Sequence, residues 1–252
     1  MSKNLWTITA KTILHVRNED TSSYGLIDLA VQRNATTDLP CINSSSLKGA
    51  LNEFATFAGL NPEKRITIFG SDKKDRNISK KGSYTFYDAN ILFLPKQDNN
   101  ELYVMTTSIG VLQRFKEMMT LFHIELSFFN LLKDDLDDNE KSVLAKQLKE
   151  VFGFQKSVDI LSNEVFNEHC DNENLPIIAR NVLDNGESKN LWYEQVVPAE
   201  TVFYTIIDNN GKTGLEELLG KDTFVQIGAN ATIGYGYCLF NNLTPMGNGK
   251  NG

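Results

Sequence analysis

Cysteine is scarce in this chain and stands in no useful pattern. Cys41, Cys170 and Cys238 are its three thiols in 252 residues, odd in number and without a CxxC pair. A disulfide framework and a zinc site are therefore not expected, and a reducing cytoplasm fits. The three histidines (His15, His123 and His169) show no zinc spacing with them. No apolar run approaches the roughly eighteen residues of a bilayer span, so no membrane partner is expected. Met1-Ser2-Lys3-Asn4 runs straight into a strand-like pattern, without the charged and apolar regions of a signal peptide. Positive charge is also short: 25 Lys and Arg stand against 32 Asp and Glu, a net charge of −7. That excludes a broadly basic surface and counts against nucleic-acid binding, but it does not speak about one local groove. Neither GxGxxG nor GxxxxGK[ST] occurs, and no repeat of the usual periods is visible.

What remains is a chain with 41% apolar residues, enough for one large domain or a domain carrying an insertion. Leu5–Ile13 alternates as a first strand, with His15 where it should end. Arg17–Ser23 is turn-like. A helix is expected from the serines at 44–46 to about Ala58, with Gly59 past its end and Pro62 beyond it. Ile66–Phe69 is a short apolar piece, and Ser71–Gly82 a charged surface loop. Ser83–Leu94 reads as a strand stopped by Pro95, and Leu102–Thr107 as its hairpin partner. Ser108 caps a helix bearing Ile109, Leu112, Phe115, Met119 and Phe122 on one face. From His123 to Arg180 the pattern changes, with an acidic run (Asp134, Asp135, Asp137, Asp138, Glu140) ahead of an amphipathic helix. Strands follow at Asn190–Val196, Thr201–Ile207, Phe224–Ile227 and Tyr237–Phe240, with a short helix at Leu215–Leu219. Periodicity alone assigns α+β, in the strand-helix-strand-strand-helix-strand order of a ferredoxin-like or RRM-like sheet.

One stretch concentrates chemistry. Asp28 and Arg33 lie five residues apart, and Asn43, Ser44, Ser45 and Ser46 are candidate N-caps with Lys48 in the first turn behind them. A helix start with free N–H groups, hydroxyls and a lysine is a phosphate seat. Common serine caps and a solvated lysine are the alternative. Lys11 and Arg17 add positive charge nearby. His15 is a candidate general base, a ligand to metal or RNA, or a packed strand-end histidine. Gly228–Gly236 is a glycine-rich loop that lets backbone approach a ligand or strand closely.

The runs Ile27-Asp-Leu-Ala-Val-Gln-Arg33 and Leu39-Pro-Cys-Ile-Asn-Ser-Ser-Ser-Leu-Lys-Gly49 resemble the signature of the RAMP proteins of type III CRISPR effectors, and within them the backbone subunit of the type III-B (Cmr) complex. Thr107–Phe115 is similar to the family's helix after a Pro-Val-Arg-Ser strand, although that tetrapeptide is replaced here. Asn190-Leu-Trp-Tyr-Glu-Gln-Val-Val-Pro198 is similar to its Leu-Trp-Tyr-Glu strand. Gly228–Gly236 resembles its Gly-Gly-x-Glu-Thr-x-Gly-x-Gly loop, with Ala229 in place of a glycine and Ala231 in place of the frequent glutamate.

The resemblance implies a subunit that binds guide CRISPR RNA, stacks with further copies of itself and with other Cmr subunits, and cuts target RNA at each repeat. It implies a ferredoxin-like core over 1–122 and 181–245, an inserted lobe over 123–180, a β-hairpin thumb, and a flexible tail over 246–252. It assigns catalysis to Asp28 and His15. RNA contacts go to Arg17, Gln32, Arg33, Ser44, Ser45, Ser46, Lys48, Gly234 and Gly236. A divalent metal, Mg or Mn, is the expected cofactor for cleavage, with no dedicated metal-ligand set. Two alternatives are a purely structural RNA-binding subunit, with Asp28 a turn or cap residue, and a small-molecule enzyme using the glycine loop.

Overall fold

The computed structural model describes residues 3–17, 27–71, 80–210, 214–220 and 223–244. The turn expected over 18–23, most of the charged loop at 71–82 and the tail at 246–252 lie outside the described residues.

In chain order the elements are β1 (Lys3–Ala10), β2 (Cys41–Ile42), α1 (Ser44–Phe57), α2 (Pro62–Phe69), β3 (Thr85–Phe86), β4 (Ala89–Gln97), β5 (Tyr103–Ser108), α3 (Ile109–Leu121), α4 (Asp138–Phe152), β6 (Val158–Leu161), α5 (Asn163–Cys170), β7 (Ile177–Asp184), β8 (Glu187–Gln195), β9 (Val202–Asp208), α6 (Leu215–Leu218), β10 (Phe224–Gln226) and β11 (Tyr237–Asn242). One sheet runs β10-β11-β1-β9-β4-β5-β6, with β2 on β4 and β3 on β9. Its pairings are antiparallel except β5 with β6. The fold is α+β. Along the chain β1, α1, β4, β5, α3 and β9 keep the expected order of elements, while in space β9 lies between β1 and β4. β1 is central, and Asn4–Thr7 and Ile8 are buried on both faces, so it reads as a near-continuous run rather than an alternation.

Several local expectations change. Pro62 starts α2 at its first helical position instead of ending α1: the Asn61 side chain accepts from the Glu63 N–H, and an acidic residue sits in the first turn. The expected single strand at Ser83–Leu94 is two, β3 and β4, broken at Tyr87-Asp88. Pro95 does not stop β4, which pairs on through Gln97 with β5. Phe93 opposite Val202 is the last described pair with β9, so the proline sits where one flank of the strand has no partner, as edge prolines do. Ser108 caps α3 as expected, its hydroxyl accepting from Val111 N–H.

Of the expected inserted lobe over 123–180, the part from Ile124 to Leu175 packs into the main core. β6 extends the main sheet beyond β5, and Phe128, Phe129, Leu144, Leu148, Ile160, Phe166 and Cys170 belong to the same hydrophobic core as Phe93 and Phe115. Phe115 packs against Phe128, Phe129, Phe152 and Tyr204 at centroid distances of 4.6 to 6.3 Å. α4 is set by an Asp137–Glu140 capping box and ends at Gly153 in the left-handed region. What does stand apart is a separate two-stranded hairpin, β7 with β8, turned by Asn185-Gly186 with φ of 52° and 86°. Asn-Gly with both φ positive is a type I′ hairpin turn, a local signal that the reading of the sequence passed over. The expected boundary between 180 and 181 falls inside β7.

Candidate nucleic-acid interface

Three segments meet at the base of the hairpin. Leu14 and Val197 bridge, as do Arg17 with Val31 and Leu29 with Glu194. The N–H groups of Asp28 and Leu29 both donate to Tyr193 O at 3.1 Å, and Tyr193 N–H returns a bond of 2.8 Å to Asp28 Oδ2. Gln195 N–H closes on Leu29 O. The Asp28 carboxylate is exposed, with one oxygen held by a strand amide and Oδ1 free of any partner among the described residues. A carboxylate fixed in this way keeps a basic oxygen toward solvent at a defined place.

His15 is set beneath this point rather than beside it. It is 1% exposed, and its Nδ1 lies 2.7 Å from Gln195 O. A carbonyl only accepts, so Nδ1 carries the proton. Nε2 is buried without a partner among the described residues. Of the three readings of His15, general base, ligand to metal or RNA, and packed strand-end histidine, this burial favours the last over the catalytic one: the ring packs and ties the end of β8 to the strand-end segment.

The helix start is less open than a phosphate seat requires. Asn43 precedes α1 but makes no side-chain cap, and Ser44 N–H donates to Asp88 Oδ1 at 2.7 Å. A carboxylate of the chain thus holds the first free donor, and no sequence signal pointed to Asp88. Gln32, expected on RNA, is 3% exposed: its amide accepts from Asn43 N–H at 2.8 Å and donates to Ser46 Oγ at 3.0 Å, clamping the helix start to the Asp28 segment. Arg33 is also committed inward. Its Nε donates to Asn172 Oδ1, Nη1 to Asp38 O and Nη2 to Cys170 O, and burial pushes its pKa below the ordinary arginine value. These two assignments change for one reason: Gln32 is buried, and three of the five Arg33 N–H donors are already engaged inside the fold, so both side chains first build the segment. Arg17, Ser45 and Lys48 are exposed, and Lys48 has no partner among the described residues. Lys11 pairs with Glu200.

The glycine loop splits its two assigned glycines. Gly236 has φ +74° and a Cβ there would lie 1.9 Å from Ile227 O, so its close approach is to the chain itself. Gly234 has φ +83° and faces open space. The loop is tied down by Ala229 N–H to His15 O and Gly236 N–H to Ile13 O. Ala231 is exposed in a 3-10 turn over Ala231–Ile233.

No group of three or more His, Cys, Asp or Glu that could hold a metal comes together among the described residues. Asp28 is a single carboxylate, which does not fit a resident metal cage. It fits at most a cation that arrives on RNA phosphates and takes one protein ligand, as Mg²⁺ commonly does. No helix among the described residues is long and apolar enough to cross a membrane.

The family model of the RAMP superfamily matches residues 7–239. The chain belongs to the RAMP superfamily. It is 25% identical over 257 aligned positions to the Pyrococcus furiosus protein named CRISPR system Cmr endoribonuclease Cmr4, covering 84% of this chain and 87% of that one. The RAMP fold recurs in solved structures. A type III-B Cmr-beta complex in its apo state superposes with a TM-score of 0.73 at 22% identity, over 96% of this chain and 98% of the other. Oligomeric Cmr4 from Pyrococcus furiosus does so with 0.69 at 20% identity and the same coverage. In this RAMP protein the quoted signature residues divide. Asp28 and Lys48 face outward, while Gln32 and Arg33 build the segment that carries them.

Proposed function

We propose that the chain is the guide-RNA-binding backbone subunit of a type III-B CRISPR effector and that it cuts complementary target RNA once per copy. The observation that carries this is the exposed Asp28 carboxylate, held through one oxygen by Tyr193 N–H at the base of a protruding hairpin. Its family, and its likeness to a named Cmr endoribonuclease and to Cmr4 in an oligomeric form, support the assembly part of the reading.

The chemistry asks little of the protein. Asp28 Oδ1 accepts the proton of an RNA 2′-OH. The freed O2′ attacks the adjacent phosphorus in line, and the P–O5′ bond breaks. The products are a 2′,3′-cyclic phosphate and a 5′-OH, the departing oxygen taking a proton from water. A divalent ion, Mg or Mn, arriving with the phosphates would stabilise charge on them. Lys48, Arg17 and the serine hydroxyls at 44 and 45 serve phosphates, and Gly234 allows close approach. His15 serves by holding Gln195, and so the strand that holds Asp28.

The test is to express the chain with its neighbouring subunits, recover the bound nucleic acid, and add complementary RNA. A short guide of regular length and target cuts at a constant spacing are expected. No co-purifying RNA would overturn the reading. A guide-loaded complex that binds target but never cuts would favour the second reading, a structural subunit, for which Ala231 at the glutamate position of the resembling loop is the specific support.

A further inference from the structure

Asp28 owes its orientation to Tyr193, and what places Tyr193 is its neighbour in β8. Glu194 is a carboxylate with 4% exposure. Its Oε1 accepts from Trp192 Nε1–H at 2.8 Å, and its Oε2 accepts from Asn230 Nδ2–H at 2.8 Å. The Arg180 guanidinium lies 3.5 Å from the same Oε2 and over the rings of Trp192 and Tyr235, 5.7 and 6.0 Å from their centroids. Glu194 therefore joins both strands of the hairpin, β7 through Arg180 and β8 through Trp192, to the glycine loop through Asn230. Asn230 itself sits in the left-handed region with φ 65°, a place asparagine and aspartate tolerate. A buried carboxylate engaged by three donors of its own chain is turned into the fold and not toward a ligand.

We propose that Glu194 is the positioning residue of the Asp28 site: through its bond to Asn230 it locks the hairpin base onto the glycine loop, and so fixes the Tyr193 amide that aims the Asp28 carboxylate. This rests on the cleavage reading above. The Asn230 bond is the informative one, because its donor and acceptor can be exchanged. Asn230→Asp sets two carboxylates against each other and breaks the link. Glu194→Gln combined with Asn230→Asp restores a donor facing an acceptor with the polarity exchanged, and leaves an acceptor oxygen for Trp192.

The experiment compares three guide-loaded complexes, carrying the parent chain, Asn230→Asp, or the exchanged pair, by single-turnover cleavage and by target affinity. The expected result is a cleavage rate about 10- to 100-fold lower in Asn230→Asp, the size of effect a sub-ångström to ångström displacement of a reacting group produces. Target affinity should be unchanged, and the exchanged pair should recover most of the rate. A purely structural role would lower affinity and yield together and would not be rescued. Hydrogen exchange at the Tyr193 amide of each purified chain keeps the two readings separate. Loss of protection in Asn230→Asp, regained in the exchanged pair, supports the lock even if the parent complex does not cut. Unchanged Tyr193 protection, or a parent complex that cuts while Asn230→Asp cuts equally fast, overturns it.

Discussion

Two regions that follow one another along the chain behave oppositely once folded. The region 124–170 looks like an addition and is built into the core: Phe128 and Phe166 are fully buried and β6 lengthens the main sheet. The β7–β8 hairpin, of which only the end of β8 from Asn190 onward resembles the family strand, projects, with Ile177, Val182 and Leu191 at 42%, 48% and 53% exposure. The difference shows where each kind of free energy is placed. The first region stabilises the domain by burying aromatic surface. The hairpin buries little of its own tip, and its base carries the polar links that set Asp28. Loss of stability and loss of function should therefore separate between the two.

The largest effect should come from the hairpin side. Asp28→Asn keeps an oxygen for the Tyr193 N–H, so the fold and RNA binding should persist while the basic carboxylate is lost. Cleavage should fall by about 10² to 10⁴-fold in single-turnover assays. Cutting at the parent rate would break the comparison. The matching change on the other side is Phe128→Ala. It removes a fully buried ring stacked on Phe115, and denaturant unfolding should show a loss of about 3–5 kcal/mol. A loss below about 1 kcal/mol would mean that the region is an appendage after all.

The glycine loop sharpens the contrast at smaller scale. Gly236→Ala drives a methyl into the Ile227 carbonyl at a positive φ and should cost about 2 kcal/mol or more in thermal or chemical unfolding. Gly234→Ala meets open space and should cost only about 1 kcal/mol, from its backbone angle. Equal losses would remove the distinction between an inward and an outward glycine. Lys48→Ala should leave the melting temperature unchanged and weaken RNA binding alike for all sequences, flattening the log–log salt dependence by about one unit. An unchanged salt slope removes Lys48 from the contacts.

The smallest effect concerns pH. Burial raises the Cys41, Cys170 and Cys238 thiols from 9.0 to about 12. The folded chain then keeps protons that the unfolded chain releases, so this contribution to stability is complete below pH 9 and is lost as pH rises toward 12. The denaturation midpoint should decline above pH 9 and the native thiols should resist alkylation at pH 8. Rapid alkylation of the native protein would show that the thiols are open.

Much of this protein is determined by its sequence. Apolar spacing and Ser108 set α3, Ser44–Phe57 sets α1, and the strands at Leu5, Thr201, Phe224 and Tyr237 appear where alternation or β-branched runs place them. These signals are local, acting within one turn or one pleat, and they survive folding. The exposed loop position of Asp28 was legible as well, because a loop carboxylate between apolar runs has few local partners. The inward commitment of Gln32, Arg33 and His15 was not legible. Their bonds go to Asn43 and Ser46, to Asp38, Cys170 and Asn172, and to Gln195, and a residue's type does not say whether a distant backbone group will satisfy it. The same holds for Asp88 on the Ser44 amide and for Glu194 on Asn230. Sequence determined which groups could meet a phosphate. Tertiary structure decided which of them were left free to do so, because each donor or acceptor spent inside the fold is lost to the ligand.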